Sequence, residues 1–123
     1  MGLPTYMKDD PNYQKRKKSK FQEKRVAKKL GGKVQKGSGA LVFHKGDVKT
    51  TELLTECKRT EQETIRVDKK WLIKISREAM GSGRVPALSL EFNAMPPLIE
   101  KDWVAVPAPF LKELIDWYKE QGE

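Results

Sequence analysis

The sequence predicts an α/β fold in which a central mixed β-sheet is flanked by helices. Three observations predict it. Segments with apolar residues at helical spacing alternate along the chain with short β-prone segments. The breaks between them carry Gly, Pro or Asn. A length of 123 residues suits one core and is too short for two ordinary domains. The expected order is helix, three strands, helix, two strands, helix, with no internal repeat.

Residues 1–18 contain Pro4, Pro11 and the run Lys15-Arg16-Lys17-Lys18, with few apolar groups to bury. They are expected to form a mobile basic arm, and residues 19–123 a single domain. The first helix is expected over Ser19 to Leu30. No Pro or Gly interrupts it, Ser19 can cap its start and Gly31-Gly32 can end it. Val26, Ala27 and Leu30 fall three, four and seven residues after Glu23, which places this acid in line with the buried stripe.

The following segment, KVQKGSGALVFHKGDVK, predicts a strand over 33–36, a Gly-Ser-Gly loop around Ser38, and a second strand over 46–49 bearing Asp47. TTELLTECKR then predicts a third strand, close enough to pair with the second as a hairpin. Side chains alternate along it, so Glu52, Leu54, Glu56 and Lys58 share one face and Leu53, Thr55 and Cys57 the other. Residues 60–67 are polar and irregular. Asp68 caps a second helix, which places Trp71, Leu72, Ile75 and Ala79 on one stripe and ends at Gly81-Ser82-Gly83. RVPALSLEF predicts a strand whose start, at Pro86, lies at an edge or outside the ladder. WVAVP predicts a short final strand. APFLKELIDWYKEQ predicts a terminal helix with Phe110, Leu111, Leu114, Ile115 and Tyr118 on one stripe.

Charge narrows the partners. The 25 Lys and Arg exceed the 17 Asp and Glu, for a formal net charge of +8, which suits a polyanion and most simply nucleic acid. No run approaches the roughly 18 apolar residues of a spanning helix, and the first residues lack the apolar stretch of a signal peptide. A cytoplasmic protein without a membrane partner is expected. The single Cys57 excludes an internal disulfide and a Cys-based zinc cluster, and its place on the third strand suits a small core residue.

Glu23, Asp47 and Glu56 stand out as acids at positions that favour burial. In a hairpin of the second and third strands, Asp47 and Glu56 lie on neighbours about 5 Å apart. Two such carboxylates can share a hard divalent cation such as Mg²⁺, which takes oxygen ligands and commonly also binds a substrate phosphate. Lys58, on the same face as Glu56, would then position or stabilise an attacking hydroxide.

The order Glu23, Ser38 within Gly-Ser-Gly, Asp47, then Glu56-Cys57-Lys58 resembles the PD-(D/E)xK nuclease superfamily. More narrowly, it resembles the archaeal-type Holliday junction resolvases, which also occur in viruses of prokaryotes. The similarity runs from about residue 19 to about residue 106 and includes EAMGSGRVPALSLEF. Where the family has Pro-Asp this chain has Gly46-Asp47, a departure that removes no ligand. The resemblance implies a restriction-endonuclease-like nuclease fold and a role in DNA recombination and repair in a prokaryotic or virus-infected prokaryotic cell. It implies that Asp47, Glu56 and the backbone carbonyl of Cys57 hold Mg²⁺, or alternatively Mn²⁺, with Glu23 as a further metal or water ligand. Lys58 would assist the nucleophile, and Ser38 would face the phosphate. A homodimer acting on branched DNA is also implied, since a two-fold protein matches the symmetry of a four-way junction.

Lys15, Arg16, Lys17, Lys18 and Lys20 near the arm, and Arg59, Arg66, Lys69 and Lys70 after the acidic motif, are candidate contacts for the DNA backbone. The competing reading of each is a solvated charged surface. His44 reads as a surface or loop residue. Trp71 and Trp117 read as core or subunit contacts, and Trp103 as core. Phe21, Ile73 and Met80 lie off the buried stripes and mark a candidate interface. Two alternatives to a junction resolvase stay open: a related nuclease cutting or nicking duplex DNA, and a basic DNA-binding module whose acids are structural.

Overall fold

The computed structural model describes residues 10–35 and 46–122. The expected order of elements is present: α1 (Pro11–Leu30), β1 (Lys33–Val34), β2 (Val48–Lys49), β3 (Leu53–Thr60), α2 (Lys69–Gly81), β4 (Val85–Phe92), β5 (Asp102–Ala105) and α3 (Ala108–Gln121). The five strands form one sheet in the order β1-β2-β3-β4-β5. Only β3 and β4 run parallel, and the other pairs are antiparallel. A parallel pair needs a long crossover, and α2 supplies it.

Helix α1 begins eight residues before the expected Ser19. Asp10 is its cap and accepts from the Asn12 N–H at 2.9 Å, while Pro11 occupies the first turn. Pro is well suited there because that N–H has no helical partner. Residues 11–18 therefore belong to the helix and not to a mobile arm: Lys and Arg are good helix formers, and nothing after Pro11 breaks the run. The rest of the proposed arm, residues 1–9, lies outside the described residues. At the other end Gly31 takes φ +73° and its N–H turns back to Ala27 and Lys28.

The sheet divides the core. On one face Val26 and Ala27 of α1 meet Val48, with Leu30, Val34 and Cys57 packed around them. On the other, Ile75 and Ala79 of α2 meet Leu54. Val26, Ala27, Ile75 and Ala79 of the expected stripes are buried, whereas Leu72 is 43% exposed, and Cys57 turns towards α1 as a partly buried residue. Pro86 pairs with Leu54 but precedes Leu88, the first residue of β4 with a partner on β5. Val85 donates to the Glu52 carbonyl just before β3, so by alternation the missing N–H of Pro86 falls on the side where no strand lies.

Polar links fasten α1 to the far strands. The Arg25 guanidinium grips both oxygens of Asp102, at 2.6 and 2.7 Å, and reaches Glu91 at 3.1 Å. Lys29 joins Asp102 and Glu100, each at 2.8 Å. Burial alone would raise the Asp102 carboxyl, but Arg25 and Lys29 hold it below the ordinary value.

The end of the chain departs from expectation. Trp103 is 54% exposed and is not a core residue, because β5 is an edge strand from which only Asp102 is buried. Its indole N–H donates to the Glu100 carbonyl instead. Helix α3 spans the expected residues, yet none of them is buried, and Leu111, Leu114, Ile115, Trp117 and Tyr118 are all exposed. Phe21, Ile73 and Met80 are exposed as expected. No helix among the described residues is long and apolar enough to cross a membrane.

Candidate metal centre

The hairpin of β2 and β3 brings the acids together. Val48 pairs with Thr55, so one step outward Asp47 stands opposite Glu56. Asp47 sits in a bend just before β2, and its backbone is fixed on both sides: its N–H donates to Thr55 at 2.8 Å and its carbonyl accepts from Gln35 at 2.9 Å. Its side chain accepts from the Cys57 N–H at 2.7 Å. The aspartate thus takes the ladder position that a longer β2 would fill. Gly46 before it adopts φ +69°, and a Cβ there would stand 2.8 Å from Leu54. Proline cannot reach positive φ and glycine can, so this turn suits Gly at position 46.

Glu23 approaches from α1, in line with Val26 and Ala27. Its carboxyl is pushed up to about 7, first by burial and then by the charges of Asp47 and Glu56, and it shares a hydrogen bond with Asp47. The Glu56 carboxyl is raised too, by burial and then by Asp47, although Lys74 and Lys58 oppose the shift. Carboxylates this close disfavour one another's ionisation. Burial also raises the Cys57 thiol, with Asp47, Glu23 and Glu56 adding to it, so the side chain is a neutral thiol at physiological pH.

Two lysines face this excess of negative charge. The Lys58 ammonium lies 3.7 Å from Glu56 and 4.5 Å from the centre of the Trp71 ring. A cation over an aromatic face is held in place without being neutralised. Trp71, read from the sequence as a core or subunit contact, is a half-buried platform for Lys58. Lys74 of α2 lies 3.6 Å from Glu56 and 3.2 Å from Glu78.

Three contributors escaped the sequence reading. Glu78 accepts from the Gly46 N–H at 2.9 Å, and Lys74 bridges it to Glu56. The buried Gln22 donates through Nε2 to the Lys58 carbonyl at 2.7 Å. The signal for two of them was the one that singled out Glu23. Glu78 is seven residues after Trp71 and three after Ile75, and Gln22 is four before Val26, so each polar residue lies on an apolar stripe.

A cleft of about 540 Å³ opens beside the acids, lined by Lys15, Ser19, Cys57, Lys58, Arg59, Thr60, Glu61 and Gln62. Lys15, Ser19 and Glu23 are spaced by four residues, so the α1 face that carries Glu23 continues along this cleft. Arg16, Lys17 and Lys20 are exposed on the same helix, and Lys18 pairs with Glu61 at 2.8 Å. Arg66, Lys69 and Lys70 are exposed at the start of α2, the end that carries Trp71. Arg59 is different. Its side chain is 12% exposed and holds Glu61 at 2.8 Å and Glu91 at 3.3 Å, so its charge is already paired within the protein. Ser38 and His44 lie outside the described residues.

Among the described residues, no group of three or more His, Cys, Asp or Glu side chains could by itself hold a metal ion. Glu23 shares a hydrogen bond with Asp47, and the charges of both Asp47 and Glu56 raise its carboxyl. That donor set fits Mg²⁺ or Mn²⁺, hard cations that need only one or two protein carboxylates beside water and phosphate. Asp47 and Glu56 would hold the ion, with Glu23 close by. The Cys57 carbonyl shares the β2-facing edge of β3 with its N–H, beside the Asp47 carboxylate. Comparison with known proteins finds no matching family model, curated protein or solved structure.

Proposed function

We propose that this protein is a metal-dependent, structure-selective DNA endonuclease that hydrolyses phosphodiester bonds at four-way junctions. The observation that carries the reading is the meeting of Glu23, Asp47 and Glu56, acids too poorly neutralised to be a simple ion-pair network, beside Lys58 and a basic cleft. A bound Mg²⁺ or Mn²⁺ would polarise the phosphoryl oxygen and acidify a water. Asp47 and Glu56 would hold the ion. Lys58, steadied by Trp71 and Glu56, orients the attacking hydroxide and offers positive charge to the phosphate. Glu23, whose carboxyl stands near 7 without an ion, would lie beside it as a further ligand to the metal or its water. Lys15 and the exposed lysines and arginines of α1 and α2 carry the DNA backbone.

The acting species is a homodimer, the form that suits a two-fold substrate. Its support is the apolar surface left bare on α3, together with Ile73 and Met80 on α2. Exposed apolar patches larger than a few hundred Å² mark contact surfaces, and a stable interface covers roughly 800 Å² per partner.

The test compares a synthetic four-way junction with linear duplex and flap DNA of the same sequence, in Mg²⁺, for the wild type and Lys58→Ala. Selective cutting of the junction by the wild type, lost in the variant with binding intact, is the expected result. Equal cutting of all three substrates would identify a duplex nuclease. Binding without any cutting would identify a non-catalytic DNA-binding module.

A further inference from the structure

The exposed end of α3, the apolar cleft between α2 and β4 and the ion pairs of α1 all lie away from the acids, but Glu78 does not. It projects from the third turn of α2 with its side chain 11% exposed, and both of its oxygens are engaged. Oε1 accepts from the Gly46 N–H at 2.9 Å, and Oε2 lies 3.2 Å from the Lys74 ammonium. Lys74 reaches in turn to Glu56 Oε2 at 3.6 Å. Each oxygen of this carboxylate is thus anchored to a fixed group of the protein. By contrast, Glu56 touches its two lysines only loosely, at 3.6 and 3.7 Å.

We propose that Glu78 and Lys74 are positioning residues: through Gly46 and Glu56 they set the spacing of the Asp47 and Glu56 carboxylates on the sheet edge.

The geometry gives the pair a definite route of action. Gly46 is adjacent to Asp47 and holds a left-handed backbone against Leu54, so an anchor on its N–H determines how the turn enters β2. Asp47 in turn carries the bond to the Cys57 N–H. An ordinary i,i+4 ion pair on a helix surface would touch only its own helix. This one reaches across to a backbone amide of the neighbouring strand turn and to an acid of β3. Polar groups that orient metal ligands from behind typically alter metal affinity by about 10–100-fold when removed.

The inference rests on the metal-site reading above, so its test uses one readout that needs no metal. In the full chain, Glu78→Ala is expected to lower hydrogen-exchange protection of the Cys57 amide by about tenfold and to move the Gly46 amide resonance. It should also weaken Mn²⁺ binding, measured calorimetrically, by about 10–100-fold. Glu78→Gln keeps an acceptor for Gly46 and should restore most of both effects. Lys74→Met should weaken Mn²⁺ binding in the same direction by a smaller factor. Unchanged Cys57 protection in a folded Glu78→Ala protein would overturn the proposal. A wild type that binds no Mn²⁺ and cuts no junction, while Glu78→Ala still exposes the Cys57 amide, would leave the positioning role standing and overturn the nuclease reading.

Discussion

Helix α1 meets two acidic clusters of the sheet, and they are built on opposite electrostatic terms. Near its C-terminal half, Asp102, Glu91 and Glu100 meet Arg25, Arg59 and Lys29 in short, multiply bonded pairs, and Asp102 is held below its ordinary carboxyl value. One turn before Arg25's neighbour Val26, Glu23 meets Asp47 and Glu56, and its carboxyl rises to about 7. Burying a carboxylate is costly unless cations and donors compensate it. The first cluster has that compensation built in and fastens the helix. The second has only the looser contacts of Lys58 and Lys74 to Glu56, at 3.7 and 3.6 Å, and under the proposed function a cation from solution would complete it. The difference separates acids that are compensated within the fold from acids that are not, and α1 touches both groups.

The comparison can be broken at either cluster. The largest effect is expected at the under-neutralised one: Asp47→Asn should lower metal-dependent cleavage on the order of 10³-fold, measured in single turnover, while junction binding persists. At the compensated cluster Asp102→Ala should leave the chemistry in place but destabilise the fold by about 3 kcal/mol in urea, because Arg25 and Lys29 lose their shared partner. The sign of its pH dependence follows from the depressed carboxyl. The stabilisation is present above the ordinary value of 3.8 and is lost as pH falls through the lower folded value, so the wild type and variant should converge only in strong acid.

Glu23 should behave in the reverse sense. Between 4.5 and about 7 the folded chain keeps a proton that the unfolded chain has released, so the stability of metal-free protein falls as pH rises through that window. Glu23→Gln should flatten the profile and stabilise metal-free protein at pH 8 by about 1–2 kcal/mol, allowing for partial solvent screening. A variant with an unchanged pH slope would place Glu23 among the compensated acids. The smallest effect on folding is expected outside both clusters: Trp117→Glu on the exposed α3 should change unfolding free energy by less than about 0.5 kcal/mol. Its readout is sedimentation, where loss of a dimer is expected, and an unaltered dimer would remove α3 from the interface.

Much of the fold was legible because its signals are local. The stripes of α1 and α2, the cap at Asp68 and the span of α3 follow from spacing and from residues that start or stop a helix. The start of α1 was misplaced because charge and proline were read as disorder, although Pro11 in a first turn behind a capping Asp10 is a start signal. Trp103 was misjudged for another reason. An apolar residue in the sequence states that it prefers cover, not that the same chain provides it.

The candidate site divides in the same way. Glu23, Asp47, Glu56 and Lys58 were legible as charged residues on otherwise apolar or alternating patterns, and the predicted hairpin placed two of them side by side. Arg59 looked equally available in the sequence but is turned inward between Glu61 and Glu91. Glu78 and Gln22 broke the pattern just as Glu23 did, yet their partners, Gly46 and the Lys58 carbonyl, are backbone atoms distant in the chain.

By itself, then, the sequence determined the helices and strands, the face each side chain takes and the excess of positive charge, since periodicity, capping and composition are properties of neighbours along the chain. Only the tertiary structure decided which buried acids are neutralised, which lysine rests on Trp71 and which apolar stripe stays uncovered. Those outcomes depend on distances between residues tens of positions apart, and both Coulomb energy and burial are set by such distances.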